Sequence, residues 1–159
     1  MITPPVPASA PSGPLQGYRI DHLGVAVADL DRAARFYRDV LGCPVGEPVV
    51  PPGQGIAVVF VTFANTRVEL IAPTSAVSPL PDLLENQTIN HFLERSPLGG
   101  LHHVCYEVDD LEAVMMRLAQ AGARILGKGK PIIGASGKPI VFLDPRTAEG
   151  TLIELKQGA

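Results

Sequence analysis

Two histidine–glutamate pairs stand out by residue type and spacing. His22 precedes Glu69 by 47 positions and His103 precedes Glu154 by 51, and both glutamates sit between aliphatic neighbours, as Val68-Glu69-Leu70 and Ile153-Glu154-Leu155. Successive side chains of a strand point to opposite faces, so each glutamate faces away from its aliphatic flanks. A carboxylate there is unusual unless its face meets water, a partner or a metal. Taken singly, a strand histidine is more often structural and a solvent-facing glutamate is commonplace; the recurrence of the pair is what argues for chemistry. Two imidazoles and two carboxylates brought to one point, with room for waters or substrate, suit an octahedral divalent ion such as cobalt, manganese, nickel or magnesium. Zinc is compatible with the set but not dictated by it.

The elements that must position these residues also occur twice. "DHLGVAVADLDRAARFYRDVLG" (21–42) and "HHVCYEVDDLEAVMMRLAQAG" (102–122) share one plan: histidine, alternating strand, aspartate, leucine, amphipathic helix, glycine. His22 precedes Leu30 by eight positions and His103 precedes Leu111 by eight, which selects His103 over His102 as the counterpart of His22. Strict alternation puts His102, Val104, Tyr106 and Val108 on one face and His103, Cys105, Glu107 and Asp109 on the other. In the first repeat Leu23, Val25 and Val27 face the helix, leaving His22 with the tiny residues Gly24, Ala26 and Ala28. Asp29 and Asp110 are placed as N-caps. Leu30, Ala33, Tyr37, Val40 and Leu41, and Leu111, Val114, Met115 and Leu118, form apolar helical stripes, and Gly42 and Gly122 supply left-handed exits. Met115 and Met116 read as core filling.

Strand signals follow each helix: "AVVFVTF" (57–63) and "TRVELIAP" (66–73) around the turn residues Ala64 and Asn65, then "PIVFLDP" (139–145) and "GTLIELKQ" (150–157) around the longer loop "RTAEG". Short extra strands near "VGEPV" and "ARILGK" give each half a β-α-β-β-β character. The loop "IIGASGKP" (132–139) is rich in small residues that let backbone N–H groups approach an anion. Lys128, Lys130, Lys138 and Arg146 read as surface charge as readily as phosphate contacts, Glu107 as a solvated residue or one that stands behind the ligands, and His91 as a surface residue of a helical linker.

Composition narrows the function classes. With 159 residues, 46% hydrophobic and 18% charged, the chain is of an ordinary globular kind. A formal charge of -3 argues against nucleic-acid binding, which needs a concentrated basic surface. No apolar run approaches the roughly 18 residues that suggest a membrane span. Cys43 and Cys105 lack disulfide-framework or zinc-ribbon spacing, pointing to a reducing compartment, and Cys105 reads as a buried packing residue. Residues 1–17, with five prolines and no charged side chain, read as an extended tail without signal- or transit-peptide features, so a cytoplasmic address is expected.

The segments "IDHLGVAVADL", "NTRVELIAP", "GLHHVCYEVDDL", "GASGKPIVFLDP" and "GTLIELKQ" together resemble the methylmalonyl-CoA epimerase family of the vicinal oxygen chelate superfamily, from Tyr18 to about Gly158. The resemblance implies an α+β fold of one domain, 18–158, in which two βαβββ modules (about 18–75 and 99–158) joined by a short helical linker form a curved mixed sheet around the metal. It implies a homodimer acting on a small acyl-CoA, in propionate metabolism, with His22, Glu69, His103 and Glu154 holding one divalent ion per subunit. Co2+ is favoured, with Mn2+, Ni2+, Mg2+ or Zn2+ as alternatives. Glu69 and Glu154 are the expected catalytic pair, interconverting (R)- and (S)-methylmalonyl-CoA by proton abstraction and return through a metal-stabilised enolate, with Gly134, Ala135, Ser136, Gly137 and Lys138 binding the substrate. Some members carry a further carboxylate at the position aligned with Val58, and here it is missing. A glyoxalase I-type lactoylglutathione lyase, or a non-catalytic small-molecule-binding protein on the same scaffold, are the competing expectations. The fourth ligand argues against an extradiol dioxygenase, which uses two histidines and one carboxylate.

Overall fold

The computed structural model describes residues 18–79 and 84–159; the proline-rich stretch 1–17, expected to be an extended tail, lies outside them. The local signals form their elements where the chemistry requires. Asp29 accepts from the Arg32 N–H at the start of α1 (Leu30–Arg35) and Asp110 accepts from the Ala113 N–H at the start of α3 (Leu111–Gln120), each satisfying an orphan donor of the first turn. Gly42 and Gly122 leave the helices at φ 70° and 94°, in the left-handed region that favours glycine. One helical expectation fails: beyond Arg35 the chain widens into a π-helical turn, Phe36–Val40, with Leu41 N–H donating to the Phe36 carbonyl. The extra residue per turn rotates the register, so Tyr37 still packs inward while Val40 and Leu41 are exposed.

Seven strands form one mixed sheet: β1 (Arg19–Ala26), β2 (Ile56–Thr62), β3 (Arg67–Pro73), β4 (Gly100–Val108), β5 (Ile132–Ile133), β6 (Pro139–Leu143) and β7 (Ile153–Gln157), in the order β2-β3-β1-β4-β7-β6-β5. β1 and β4 run antiparallel at the centre, and each has the last strand of its own half beside it in parallel, β3 against β1 and β7 against β4. The two halves are thus related by a pseudo-twofold between β1 and β4. The extra strands expected near "VGEPV" and "ARILGK" are reduced to isolated bridges, Val45 to Val61, Val49 to Val58 and Ile125 to Leu143. Helix α2 (Ile89–Arg95), capped by Thr88, follows a 3-10 turn (Glu85–Gln87) in the linker, and His91 is half-exposed beside Glu94.

The large aliphatics of the strands face α1 and α3 and build two matching cores. Under α1 lie Val59, Val61, Val68 and Leu70, and under α3 lie Val108, Val141, Leu143 and Leu155 with Leu111 and Val114. Met115 packs against the second core, as expected, but Met116 points to solvent. Burying this apolar surface is the main favourable term for the fold. The opposite, concave face carries His22, Glu69, His103 and Glu154 between two smaller apolar clusters, around Ile71 and around Phe142.

Candidate metal centre

His22 and His103 come from the two central strands, and Glu69 and Glu154 from the strands beside them. The register repeats: Glu69 lies opposite Gly24, two residues after His22, and Glu154 lies opposite Cys105, two residues after His103. On the outer side of each glutamate sits a phenylalanine, Phe60 opposite Glu69 and Phe142 opposite Glu154. Phe60 meets the His22 ring edge-to-face at 5.8 Å and Phe142 meets the His103 ring at 5.9 Å. These aromatic clamps leave each imidazole little rotational freedom.

The four side chains converge tip to tip. His22 Nε2 and His103 Nε2 are 3.2 Å apart. Glu69 Oε2 lies 3.2 Å from His22 Nε2 and 3.4 Å from His103 Nε2, and Glu154 Oε2 lies 3.7 Å and 3.0 Å from the same atoms. All four residues are buried, at 3 to 6% exposure. Adjacent ligands of an octahedral ion with bonds of about 2.1 Å are about 3.0 Å apart, so these separations fit a four-donor cation site. Gly24 makes the convergence sterically feasible, because a Cβ there would lie 2.1 Å from His103 Cε1.

Sequence periodicity misses the residues that hold the imidazoles. His22 Nδ1–H donates to Asp21 Oδ2 at 2.7 Å, and Asp21 is itself held by Lys156 and Arg67, each at 2.7 Å. Lys156 is buried and also pairs with Glu107, which Arg19 caps, so of the two expectations for Glu107 the structure has it behind the ligands, joined to His22 through Lys156 and Asp21. His102 is a correction: alternation puts it on the face opposite His103, yet both rings lie on the concave side, with their Nδ1 atoms 3.0 Å apart. The cause is a pair of bulges. Along the β1–β4 ladder, Ile20 pairs with Tyr106 and His22 with Cys105, skipping Asp21; Gly24 pairs with His103 and Val25 with Leu101, skipping His102. A bulge breaks the period-two rule at the residue it inserts. The adjacent pairs "DH" and "HH", at equivalent places in the repeat, are the signal that could have revealed both.

Electrostatics follow from this packing. Burial alone would neutralise the four groups. Instead burial of His103 is outweighed by Glu154 and Glu69, which push its pKa up to about 9, and His22 is raised by Asp21, Cys105, Glu154 and Glu69. Burial of Glu69 and Glu154 is likewise overcome by His103 and His22, which hold both carboxyl groups below their ordinary range. Without an ion the cluster therefore keeps two extra protons facing two carboxylates; a divalent cation carries the same charge. Burial, then the nearby His103, depress His102 to about 4, so it is neutral. Burial pushes the Cys105 thiol up to about 12, in keeping with a packing residue.

A cavity opens over the cluster between the halves, lined by Glu69, His102, His103 and Glu154 on its floor and by Ile71, Ile89, Ile132 and Ile140 around them. Gln54 of the first half donates to the Ile133 carbonyl of the second at 2.6 Å beside it. Of the loop 134–138, Ala135 lines the cavity, Gly134 is buried against Ile140, and Ser136, Gly137 and Lys138 are exposed. Val58 is fully buried with Ala26, Ile71 and Ile89, so that position offers packing and no carboxylate. Arg146 is engaged by Asp144 and Glu85, whereas Lys128 and Lys130 are exposed.

A mixed, pseudo-twofold sheet carrying two His/Glu pairs on its concave face defines a class of protein: residues 21–142 match the family model of the Glyoxalase/Bleomycin resistance protein/Dioxygenase superfamily, to which the chain belongs. It is 47% identical over 139 residues to an ethylmalonyl-CoA/methylmalonyl-CoA epimerase of Cereibacter sphaeroides, covering 87% of this chain and 97% of that one. Within the superfamily it belongs to the methylmalonyl-CoA epimerase family. Among solved structures, the methylmalonyl-CoA epimerase of Mycobacterium tuberculosis superposes with a TM-score of 0.77 at 29% identity, covering 96% of this chain and 94% of that one. A methylmalonyl-CoA epimerase in complex with methylmalonyl-CoA and NH4+ superposes with a TM-score of 0.76 at 28% identity, covering 89% and 95%.

Proposed function

We propose that this chain is an isomerase that interconverts (R)- and (S)-methylmalonyl-CoA with one divalent ion per subunit, Co2+ favoured, held by His22, Glu69, His103 and Glu154. The observation that carries this reading is the convergence of those four buried side chains in a member of the epimerase family. The fit is chemical as well as geometric: imidazole and carboxylate donors suit first-row divalent ions. Such an ion supplies Lewis acidity, drawing off the negative charge that develops on the thioester oxygen as the α-proton leaves.

The chain's own residues do the rest. Inversion needs a base on one face of the α-carbon and an acid on the other, and Glu69 and Glu154, from equivalent strands of the two halves, are the pair for it. Their contacts with His22 and His103 hold both carboxyl groups ionised and therefore weakly basic, so one glutamate must swing off the cluster to take the proton. The apolar cavity wall keeps water from competing for it. Ala135 flanks the acyl group, and the loop Gly134–Lys138 closes over the substrate carboxylate with backbone N–H groups and Lys138. The enzyme works in the cytoplasm as a homodimer, on the acyl-CoA of propionate metabolism.

The test is exchange of the α-proton of methylmalonyl-CoA in deuterated buffer, with metal and after chelation, beside a methylglyoxal–glutathione assay. Metal-dependent exchange that is lost in Glu69→Ala and Glu154→Ala supports the reading. Near-normal exchange in both variants removes the two-base proposal, and solvent deuterium entering only the glutathione product assigns the protein to lactoylglutathione chemistry instead.

A further inference from the structure

We infer that His102 is the positioning residue of the metal centre's second histidine: it fixes which nitrogen of His103 faces the ion and ties the other nitrogen, through its own ring, to the linker between the two halves. The inference rests on the metal reading above, and its evidence is a chain of hydrogen bonds whose direction is fixed at its two ends, by the Gln87 carbonyl and by an ion on His103 Nε2. The Gln87 carbonyl oxygen can only accept, so His102 Nε2 carries the proton and donates to it at 2.5 Å. An ion on His103 Nε2 takes the lone pair there, so the ring proton of His103 sits on Nδ1. His103 Nδ1–H then donates to His102 Nδ1 at 3.0 Å, and Nε2, the atom that faces Glu69, Glu154 and His22, is the one presented to the ion.

The arrangement repeats, with different chemistry, what Asp21 does for His22. Each bulge on the central ladder inserts one residue just before a candidate ligand, and each inserted residue takes the Nδ1–H of that ligand. A partner on the remote ring nitrogen fixes both tautomer and orientation of a ligating histidine. Asp21 does so with a charge tied to Lys156 and Arg67, whereas His102 does so with a neutral ring. His102 is also held edge-to-face by Phe92 of α2, at 5.6 Å. The segment joining the halves is therefore part of the metal site, because the Gln87 carbonyl that ends the 3-10 turn sets the tautomer from which the others follow.

Three variants test this with the full chain. His102→Leu removes both ring nitrogens, His102→Gln keeps a donor toward Gln87, and His102→Asn presents an amide oxygen to His103 Nδ1–H. Divalent-ion affinity, measured without substrate by competition with a chelating dye, is expected to fall about 10- to 100-fold in His102→Leu and to be largely restored in His102→Asn. In the zinc-loaded wild type labelled with 15N-histidine, NMR is expected to show a slowly exchanging His103 Nδ1–H with a nitrogen–nitrogen coupling to His102 Nδ1, lost in His102→Leu. A rapidly exchanging His103 Nδ1–H, or His102→Leu affinity equal to wild type, overturns the inference. Wild-type protein that binds no divalent ion overturns the metal reading instead, and the same coupling, sought in the ion-free protein at alkaline pH, then decides the hydrogen bond by its presence or absence.

Discussion

Gly24→Ala isolates the geometry of the centre from its chemistry. The substitution adds one methyl group and no charge, and Gly24 lies in β1 outside the left-handed region, so alanine is conformationally allowed. Its Cβ would sit 2.1 Å from His103 Cε1, 2.2 Å from Nδ1 and 2.6 Å from Nε2. Carbon atoms in contact stay about 3.5 Å apart or more, so the imidazole must retreat by about 1.4 Å. It cannot do so freely: Phe142 bounds it edge-to-face, His102 holds Nδ1, and the ring is 4% exposed. A metal site tolerates ligand distances within about 0.2 Å of ideal, and a displacement of about 1 Å at a reacting centre costs about 100-fold. We expect the variant to fold, with overpacking costing about 1 to 3 kcal/mol, and to lose ion affinity and α-proton exchange by about 100-fold each. Circular dichroism and thermal melting check the fold, and dye competition and deuterium exchange check the site. A Gly24→Ala protein with wild-type ion affinity would refute the placement of the His103 ring against β1, and with it the convergence of the four donors.

Three further outcomes follow from the same contacts. Asp21→Asn leaves His22 Nδ1–H a neutral amide oxygen in place of a carboxylate and removes the charge that faces buried Lys156 and Arg67; it should destabilise the protein by about 3 kcal/mol, read from denaturant midpoints, and weaken ion affinity, whereas an unchanged midpoint would show the network to be ornamental. The raised His103 stabilises the ion-free protein fully below its unfolded pKa, and that contribution disappears as pH rises through about 9, while the lowered Glu69 contributes above its ordinary value and stops contributing only in strong acid. Thermal melts of chelated protein should therefore fall between neutral and alkaline pH, and the ion-loaded protein, whose ligands are already deprotonated, should resist that fall; parallel melting curves would contradict the charge balance. Leu155→Ala, in the core under α3 at 0% exposure, should cost about 2 to 5 kcal/mol in chemical denaturation, and a loss below 1 kcal/mol would place Leu155 outside a packed core.

Much of the fold is legible because it rests on local rules that recur. The N-caps Asp29 and Asp110, the glycine exits, the aliphatic faces under each helix and the hairpin around Ala64 and Asn65 depend on residues close in sequence, and the structure has them all. The π-helical turn at Phe36–Val40 escapes such rules because nothing in its residue types distinguishes a five-residue turn from a four-residue one. The missing extra strands escape for a different reason. A strand exists through its partner, and segments that can pair along one edge form only a bridge when the sheet curves away, as at Val49 and Ile125.

The candidate site divides along the same line. Its four converging side chains could be named because the repeat fixes their register: any residue two positions before the partner of a flanking glutamate lands on the concave face of its own half. Their support could not, because alternation is a rule for regular strands and Asp21 and His102 sit where β1 and β4 are irregular. The irregularity is not incidental to function. A regular ladder would send the residue before each histidine to the helix side, into the cores built by Leu23 and Val25 or by Tyr106 and Val108, where an aspartate or a second imidazole would lie buried without a partner. Inserting one residue turns it back beside the histidine it precedes, so a single bulge per half both spares the core a polar group and supplies the hydrogen bond that aims the donor nitrogen. The two bulges, one on each central strand, offset each other in the register and let the antiparallel ladder close on both sides of the site. Deleting Asp21 alone should accordingly do more than remove a carboxylate: the ladder closes with Ile20 still opposite Tyr106 and Arg19 still opposite Glu107, but His22 Nδ1–H loses every acceptor and Thr66 loses the Asp21 carbonyl. Removing the insertion should cost more stability than Asp21→Asn, and equal losses in the two variants would deny the bulge any role beyond its side chain.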